Sequence, residues 1–179
     1  MASNQKKYIG LLGGSFDPPH KGHLAISKIA IKKLKLKKVY WIITKKNPFK
    51  NKTFYTLNDR IKYAKKISRT HKKIQAIYLE NIVKSSRTID VINYFIKKKK
   101  IKNIFFIIGS DNLIRFHKWK SWKKIVKLVK LIVFSRRGYD RKGMKSLVAK
   151  NFKNRIIFIK NRPISISSTQ LKKRTKLNI

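Results

Sequence analysis

Tyr8-Ile9-Gly10-Leu11-Leu12-Gly13-Gly14-Ser15-Phe16-Asp17-Pro18-Pro19-His20-Lys21-Gly22-His23 decides the fold. The run from Tyr8 to Gly13 is short and apolar, which predicts a buried strand, and glycine, serine and two prolines end it. From about His20 to Leu36 the apolar positions Leu24, Ile26, Ile29, Ala30 and Leu34 recur at mostly helical spacing, so a helix follows. A buried strand that turns through a glycine-rich loop into a helix is the opening unit of an α/β sheet.

The pattern repeats downstream. Val39 to Ile43 predicts a second strand, and the polar, proline-bearing segment from Lys45 to Thr56 a surface loop. A helix resumes near Asn58, a residue type suited to capping it. Ile74 to Leu79 predicts a third strand, Ile89 to Ile96 a helix, and Asn103 to Ile108 a fourth strand. Helical pieces follow around Leu113 and Trp122, then strands at Leu131 to Phe134 and Ile156 to Ile159 with a helical segment between them, and another helix after Ser168. Apolar strands alternating with helices indicate a Rossmann-like, doubly wound parallel sheet joined by right-handed crossovers. At 179 residues a single domain is expected. In such sheets ligands bind beyond the carboxyl ends of the strands, so the loops after Gly13, Ile43, Leu79, Ile108 and Phe134 are where chemistry is sought.

Composition narrows the class. With 42% hydrophobic residues, 7 Gly and 4 Pro, the chain is globular rather than disordered or fibrous. Its apolar runs fall far short of the ~20 residues that span a bilayer, and the N-terminus lacks the apolar region of a secretory signal. A cytoplasmic protein without a membrane partner is expected. There is no cysteine, hence no disulfide, thiolate nucleophile or cysteine metal site. The formal net charge of +42 by itself suggests a nucleic-acid binder. Its lysines, however, are spread over every segment, and Lys, Ile and Asn are what A/T-rich codons specify. No basic stripe interleaved with aromatic readers is visible in the sequence, so no specific nucleic-acid partner is expected. The positive field favours polyanionic small molecules such as ATP.

The loop after the first strand has its own chemistry. It is neither a Walker loop nor a GxGxxG fingerprint. Paired glycines admit backbone N–H groups to a phosphate, and the helix opening near His20 offers free donors and a partial positive charge. His20 and His23 share one face of the first turn, and Gly22 removes a side chain that would crowd a triphosphate. Neighbouring phosphate raises an imidazole pKa from ~6.5, so beside a polyphosphate both rings can become or remain protonated and would then stabilise charge on a departing phosphoryl oxygen. A metal pair or structural histidines are the plainer alternatives for an arbitrary HxxH.

Gly13 to His23 resembles the GGxFDPxHxGH signature of the HxGH nucleotidyltransferase superfamily, and from end to end the chain is similar to the bacterial nicotinate-nucleotide adenylyltransferase family. The resemblance implies a single domain of the HxGH nucleotidyltransferase type. It implies that His20 and His23 are catalytic and that Gly13, Gly14, Ser15 and Phe16 belong to the ATP site. Ile166-Ser167-Ser168-Thr169-Gln170-Leu171-Lys172 resembles the second signature, ISSTxIR, so Ser167, Ser168 and Thr169 are expected on the ATP phosphates. The motif's arginine falls on Lys172, which keeps the charge without the planar fork, with Arg174 two residues on. Gly109-Ser110-Asp111 resembles the GxD segment that receives the adenosine ribose, and Ser135-Arg136-Arg137-Gly138-Tyr139 resembles the RPGY turn, placing Arg136 near the adenine. For the acceptor, Ser85-Ser86-Arg87-Thr88 resembles an SxTxDT-like turn, with Ser86 and Thr88 near the nicotinate carboxylate. Phe116-His117-Lys118-Trp119 resembles the aromatic segment whose Trp119 stacks on the pyridine ring, while Trp122 is expected in the core and His117 at the surface. Asn47-Pro48-Phe49-Lys50 resembles the NPxK loop, with Lys46 and Lys50 on the mononucleotide phosphate.

The implied reaction is direct in-line transfer of AMP from ATP to nicotinate mononucleotide, with Mg²⁺ carried by ATP and no all-protein metal site. Another superfamily enzyme, a pantetheine-phosphate adenylyltransferase or a cytidylyltransferase, is the nearest alternative. A basic nucleic-acid-binding module on the same fold is a more distant one. The sequence leaves a homo-oligomer open.

Overall fold

Strands that are apolar along their whole length must be covered on both faces, and this chain covers them. The computed structural model describes residues 8–45 and 53–161. In chain order these form β1 (Ile9–Gly14), α1 (Lys21–Leu34), β2 (Lys38–Ile43), α2 (Leu57–Ser68), β3 (Ile74–Tyr78), α3 (Glu80–Val83), α4 (Thr88–Lys97), β4 (Ile104–Gly109) and α5 (Ser110–Arg115). A 3-10 turn at Phe116–Lys118 leads to α6 (Trp122–Leu128), β5 (Lys130–Phe134), α7 (Asp140–Met144) and α8 (Leu147–Asn151), and a second such turn at Lys153–Arg155 leads to β6 (Ile156–Ile159).

All strands pair in parallel, in the order β3-β2-β1-β4-β5-β6. The winding direction reverses between β1 and β4. That reversal opens a crevice at the carboxyl ends of these two strands, because their following loops leave toward opposite faces.

The period of two along each strand divides the core. Leu11, Ile42, Phe106, Ile108, Leu131 and Val133 face one layer, built with α4, α5, α6 and α8 residues such as Phe95, Leu113, Val126 and Val148. Leu12, Trp41, Ile43, Ile107, Ile132 and Phe134 face the other, where Ala30 and Ile31 of α1 and Ala64 of α2 close it. Gly10 lies where the sheet meets α1's end: an added Cβ would approach Ile107 Cδ1 to 2.9 Å and Leu36 Cδ1 to 3.1 Å.

The expected strands are present with ends shifted by about one residue. One cap differs. The helix expected to begin at Asn58 begins at Leu57, and its cap is Thr56, whose hydroxyl accepts a hydrogen bond from Asp59 N at 3.2 Å. Thr56 has extended backbone and an acidic residue three positions on, the pattern of a capping box, whereas Asn58 lies inside the first turn. The helix expected after Ser168 lies outside the described residues. Among the described residues no helix is long and apolar enough to cross a membrane.

Candidate active site

The histidine pair is built into the helix start. His20 is the N-cap of α1 with extended backbone (φ −151°, ψ 170°), and its Nδ1 accepts a hydrogen bond from Gly22 N at 3.0 Å. His23, at the third helical position, returns the bond: its Nδ1 accepts from His20 N at 3.2 Å. The two rings lie 4.0 Å apart, centroid to centroid. This reciprocal cap uses imidazoles where Ser and Glu are usual. Its chemical consequence is tautomeric. Each Nδ1 is committed as an acceptor, so each ring carries its proton on Nε2 and presents that N–H as a donor.

The layer beneath fixes the pair. Phe16 is buried, with its backbone in the left-handed region (φ 47°), and its ring contacts His23 at 4.7 Å and stacks on Trp41 at 5.2 Å. Trp41 Nε1 donates to Ser27 Oγ at 2.8 Å, and Ser27 Oγ donates to His23 O at 2.8 Å. Any contact Phe16 makes with a ligand is therefore through its backbone.

On the other side of the switch point, β4 and β5 deliver a second cluster. Asp111 Oδ1 stands 3.3 Å from Arg136 Nε, an ion pair folded over the Cα of Gly109. A Cβ at Gly109 would meet Asp111 Oδ1 and come within 3.0 Å of Arg136 Nε, so any other residue here would push this ion pair aside. Asp111 Oδ1 is buried and accepts no hydrogen bond among the described residues. Arg136 is held from behind by Asp140. That carboxylate accepts from Ser110 Oγ at 2.6 Å, from Arg136 N at 2.9 Å and from Ser135 Oγ, tying the β4 and β5 loops together. Burial acts to raise the Asp140 pKa, but these donors outweigh it and hold the carboxyl below the usual range.

Arg60, which the sequence did not single out, lies beneath the first loop. It is 1% exposed, and its guanidinium donates to Ser15 O and Thr44 O at 2.7 Å, to Lys45 O at 2.9 Å and to Tyr55 O at 3.3 Å. Asp17, equally buried, grips the same segment by accepting from Phe54 N at 2.8 Å and Tyr55 N at 2.9 Å. Thus the loops after β1 and β2 and the start of α2 share one polar knot. Burial lowers the Arg60 pKa, and the nearby Asp17 carboxylate partly offsets this. One signal was present in the sequence: Arg60 occupies the core-facing stripe of α2 together with Ala64 and Ser68. Among 48 Lys and Arg it did not stand out.

The remaining expected residues divide. Gly13 and Gly14 end β1 at the crevice, and Ser15 is buried directly after them. Thr88 opens α4, whose cap Arg87 contributes no side-chain bond; Ser86 is exposed just before it, and Ser85 Oγ donates to Asp90 Oδ2 at 2.7 Å. Trp119 is half-buried, stacked on Phe116 at 4.8 Å and edge-on to Phe106, with its indole N–H buried and lacking a partner among the described residues. Trp122 packs edge-on against Phe152. His117, expected at the surface, is half-buried with its Nδ1 enclosed, because the 3-10 turn at Phe116–Lys118 packs against α8. Lys46, Lys50, Ser167, Ser168, Thr169, Lys172 and Arg174 lie outside the described residues.

The protonation expected of the histidines refers to a polyphosphate at their side; in the chain alone, burial governs His20. Burial, with the Arg136 cation adding to it, pushes the His20 imidazole from 6.5 down to about 4. A ligand-free His20 is therefore neutral at physiological pH. Between these values the folded chain binds fewer protons than the unfolded one at this site. This contribution to stability is therefore complete above pH 6.5 and is lost as pH falls toward about 4. By NMR, the His20 ring is expected to remain the neutral Nε2–H tautomer down to about pH 5, one unit above its folded pKa. Midpoint titration near 6.5 would mean the ring is solvated and uncapped.

Residues 11–174 match the family model described as cytidylyltransferase-like. A Pelagibacter ubique (strain HTCC1062) protein named as a probable nicotinate-nucleotide adenylyltransferase is 53% identical over 172 residues, 95% of each chain. A relative of the same name from Endomicrobium trichonymphae is 32% identical over 171 residues, 94% of this chain and 86% of that one. Among solved structures, Plasmodium falciparum nicotinic acid mononucleotide adenylyltransferase complexed with NaAD superposes with a TM-score of 0.72 at 19% identity, covering 93% of this chain and 83% of that one. This last similarity bears on the fold alone.

Proposed function

The chain belongs to the nicotinate-nucleotide adenylyltransferase family, and from that premise we propose that it transfers AMP from ATP to nicotinate mononucleotide, giving nicotinate adenine dinucleotide and pyrophosphate. The observation that carries this reading is the His20–His23 pair, whose Nε2–H donors sit at the β1–β4 switch point of a chain 53% identical to a named relative over 95% of its length.

A phosphate oxygen of the mononucleotide attacks the α-phosphorus of ATP in line. The new P–O bond forms as the bond to the β-phosphate oxygen breaks, and the electron pair leaves with pyrophosphate. The acceptor is already anionic, so no protein nucleophile is needed. The chain aligns two like-charged reactants and offsets their repulsion. His20 and His23 donate to the phosphate oxygens that gain charge. Gly13, Gly14, Ser15 and the backbone of Phe16 line the triphosphate, assisted by Ser167, Ser168, Thr169 and Lys172. Gly109 and Asp111 receive the ribose and Arg136 lies near the adenine. Lys46 and Lys50 hold the mononucleotide phosphate, while Ser86, Thr88 and Trp119 take the nicotinate.

An approaching triphosphate raises the pKa of His20. A second proton on the ring, however, would expel Gly22 N–H from Nδ1, so the cap favours the neutral donor. No group of three or more His, Cys, Asp or Glu that could hold a metal occurs among the described residues. Mg²⁺ carried by ATP, held by phosphate and water, would supply charge neutralisation there.

Pyrophosphate release, measured with ATP or CTP and with nicotinate mononucleotide, nicotinamide mononucleotide or phosphopantetheine, tests the assignment. ATP with nicotinate mononucleotide should give the highest kcat/KM, about tenfold or more above the amide, because donors placed for a carboxylate gain less from a neutral group. Faster turnover with phosphopantetheine or with CTP would transfer the chain to a sister activity.

A further inference from the structure

The +42 charge, unremarkable along the sequence, is sorted by the fold. All six carboxylate side chains, Asp17, Asp59, Glu80, Asp90, Asp111 and Asp140, lie in segments that leave the strands' carboxyl ends or open the next helix. None lies at the opposite edge. There the connections into the parallel strands arrive side by side: Tyr8 O accepts from Lys37 N at 2.8 Å, Lys73 O from Val39 N at 2.8 Å and Asn103 O from Ile9 N at 3.0 Å. Register continues the line, pairing Phe105 with Lys130 and Leu131 with Ile156. Exposed lysines stand all along it: Lys72 and Lys73 before β3, Lys37 before β2, Lys102 before β4, Lys130 at the start of β5 and Lys153 before β6.

We propose that this amino-end edge of the sheet is a docking surface for the phosphate backbone of duplex nucleic acid, engaged without regard to base sequence. Five interstrand spacings make a ridge about 24 Å long. Along a duplex that length covers about seven base pairs, with a phosphate charge every ~1.7 Å of axis. Lysines in the last turns of α1, α2 and α4 complement helix dipoles, but these six lie beyond those turns, so the dipole does not account for them. None of the exposed large hydrophobic side chains among the described residues lies in these connections. The half-buried Tyr8 ring at this edge is already stacked on Phe105, so among the described residues the ridge offers no free aromatic platform for unstacked bases and no exposed apolar wedge for a lipid boundary, which favours a duplex backbone over a single strand or a membrane. Because the ridge and the histidine pair occupy opposite edges of the sheet, a docked duplex leaves the site open to its small substrates.

The test is fluorescence anisotropy of the full chain on a labelled 20-base-pair duplex across a salt series. The triple variant Lys37→Gln, Lys102→Gln, Lys130→Gln should reduce the slope of log K against log salt by about three and weaken binding about 10²-fold near 0.15 M salt. A control triple, Lys118→Gln, Lys142→Gln, Lys145→Gln, removes the same charge from exposed positions off the ridge and should change affinity less than about threefold. Unchanged turnover in both triples separates this surface from the adenylyltransferase site. Equal losses in the two triples, displacement of the duplex by saturating ATP, or tighter binding to phosphatidylserine vesicles than to the duplex would each overturn the proposal.

Discussion

Alanine at His23 is expected to lower kcat by about 10³-fold while the protein still folds. In the proposed reaction the Nε2–H donor meets the oxygens where charge develops, and losing one such donor typically costs about 10²–10³-fold. The structural part is small. His23 contributes one cap acceptor, to His20 N at 3.2 Å, and ring contacts with Phe16 and Trp41 at the site's margin. A lost cap costs about 1 kcal/mol, or a few degrees of Tm for a chain of this size. Steady-state kinetics and thermal melting on one preparation check both halves. Residual kcat within tenfold of the parent, in a protein of near-parental Tm, would remove His23 from the reaction.

Methionine at Arg60 is expected to give the largest loss of stability. Met keeps the apolar stem but strips donors from four carbonyl oxygens, those of Ser15, Thr44, Lys45 and Tyr55. Leaving such groups buried and unsatisfied costs about 1–3 kcal/mol each, and partial rescue by water brings the sum to about 3–5 kcal/mol. Tm should fall by about 10 °C. The two loops that lose their tie border the proposed triphosphate site, so KM for ATP should rise as well. Arg60→Lys should recover only part of either effect, because one ammonium cannot address carbonyls spread around a planar fork. A Tm within about 2 °C of the parent would show that solvent replaces the guanidinium.

How much of this was legible in the sequence depends on whether the determining interaction is local. Continuous apolar runs such as Ile104 to Ile108 carry the parallel sheet by themselves, since only burial on both faces tolerates them. The position of the histidine pair at a helix opening was equally plain from the glycines and prolines before it. The neutral charge of His20 was not, because it depends on burial and on Arg136, which lies 116 positions away in the sequence. Arg60 escaped for the same reason, as did Asp140 in part: decisive partners come from other loops. Asp140 ties two loops together only when the β4–β5 pairing brings Ser110 to it, beside its local partner Ser135. The basic ridge is the extreme case, since its lysines form no run and become a line only through strand register.

Confining all six carboxylate side chains to a single rim gives the molecule one pole whose negative charges acid can remove. The struts that brace the loops there, Asp17 against the Phe54–Tyr55 backbone and Asp140 beneath Arg136, work best as carboxylates, and strong acid that finally protonates them loosens both. The ammonium groups of the opposite pole are already protonated and do not change. Catalytic competence should therefore fail in acid while the hydrophobic floor of the sheet is still assembled: an enzyme that goes slack at its mouth before it comes apart.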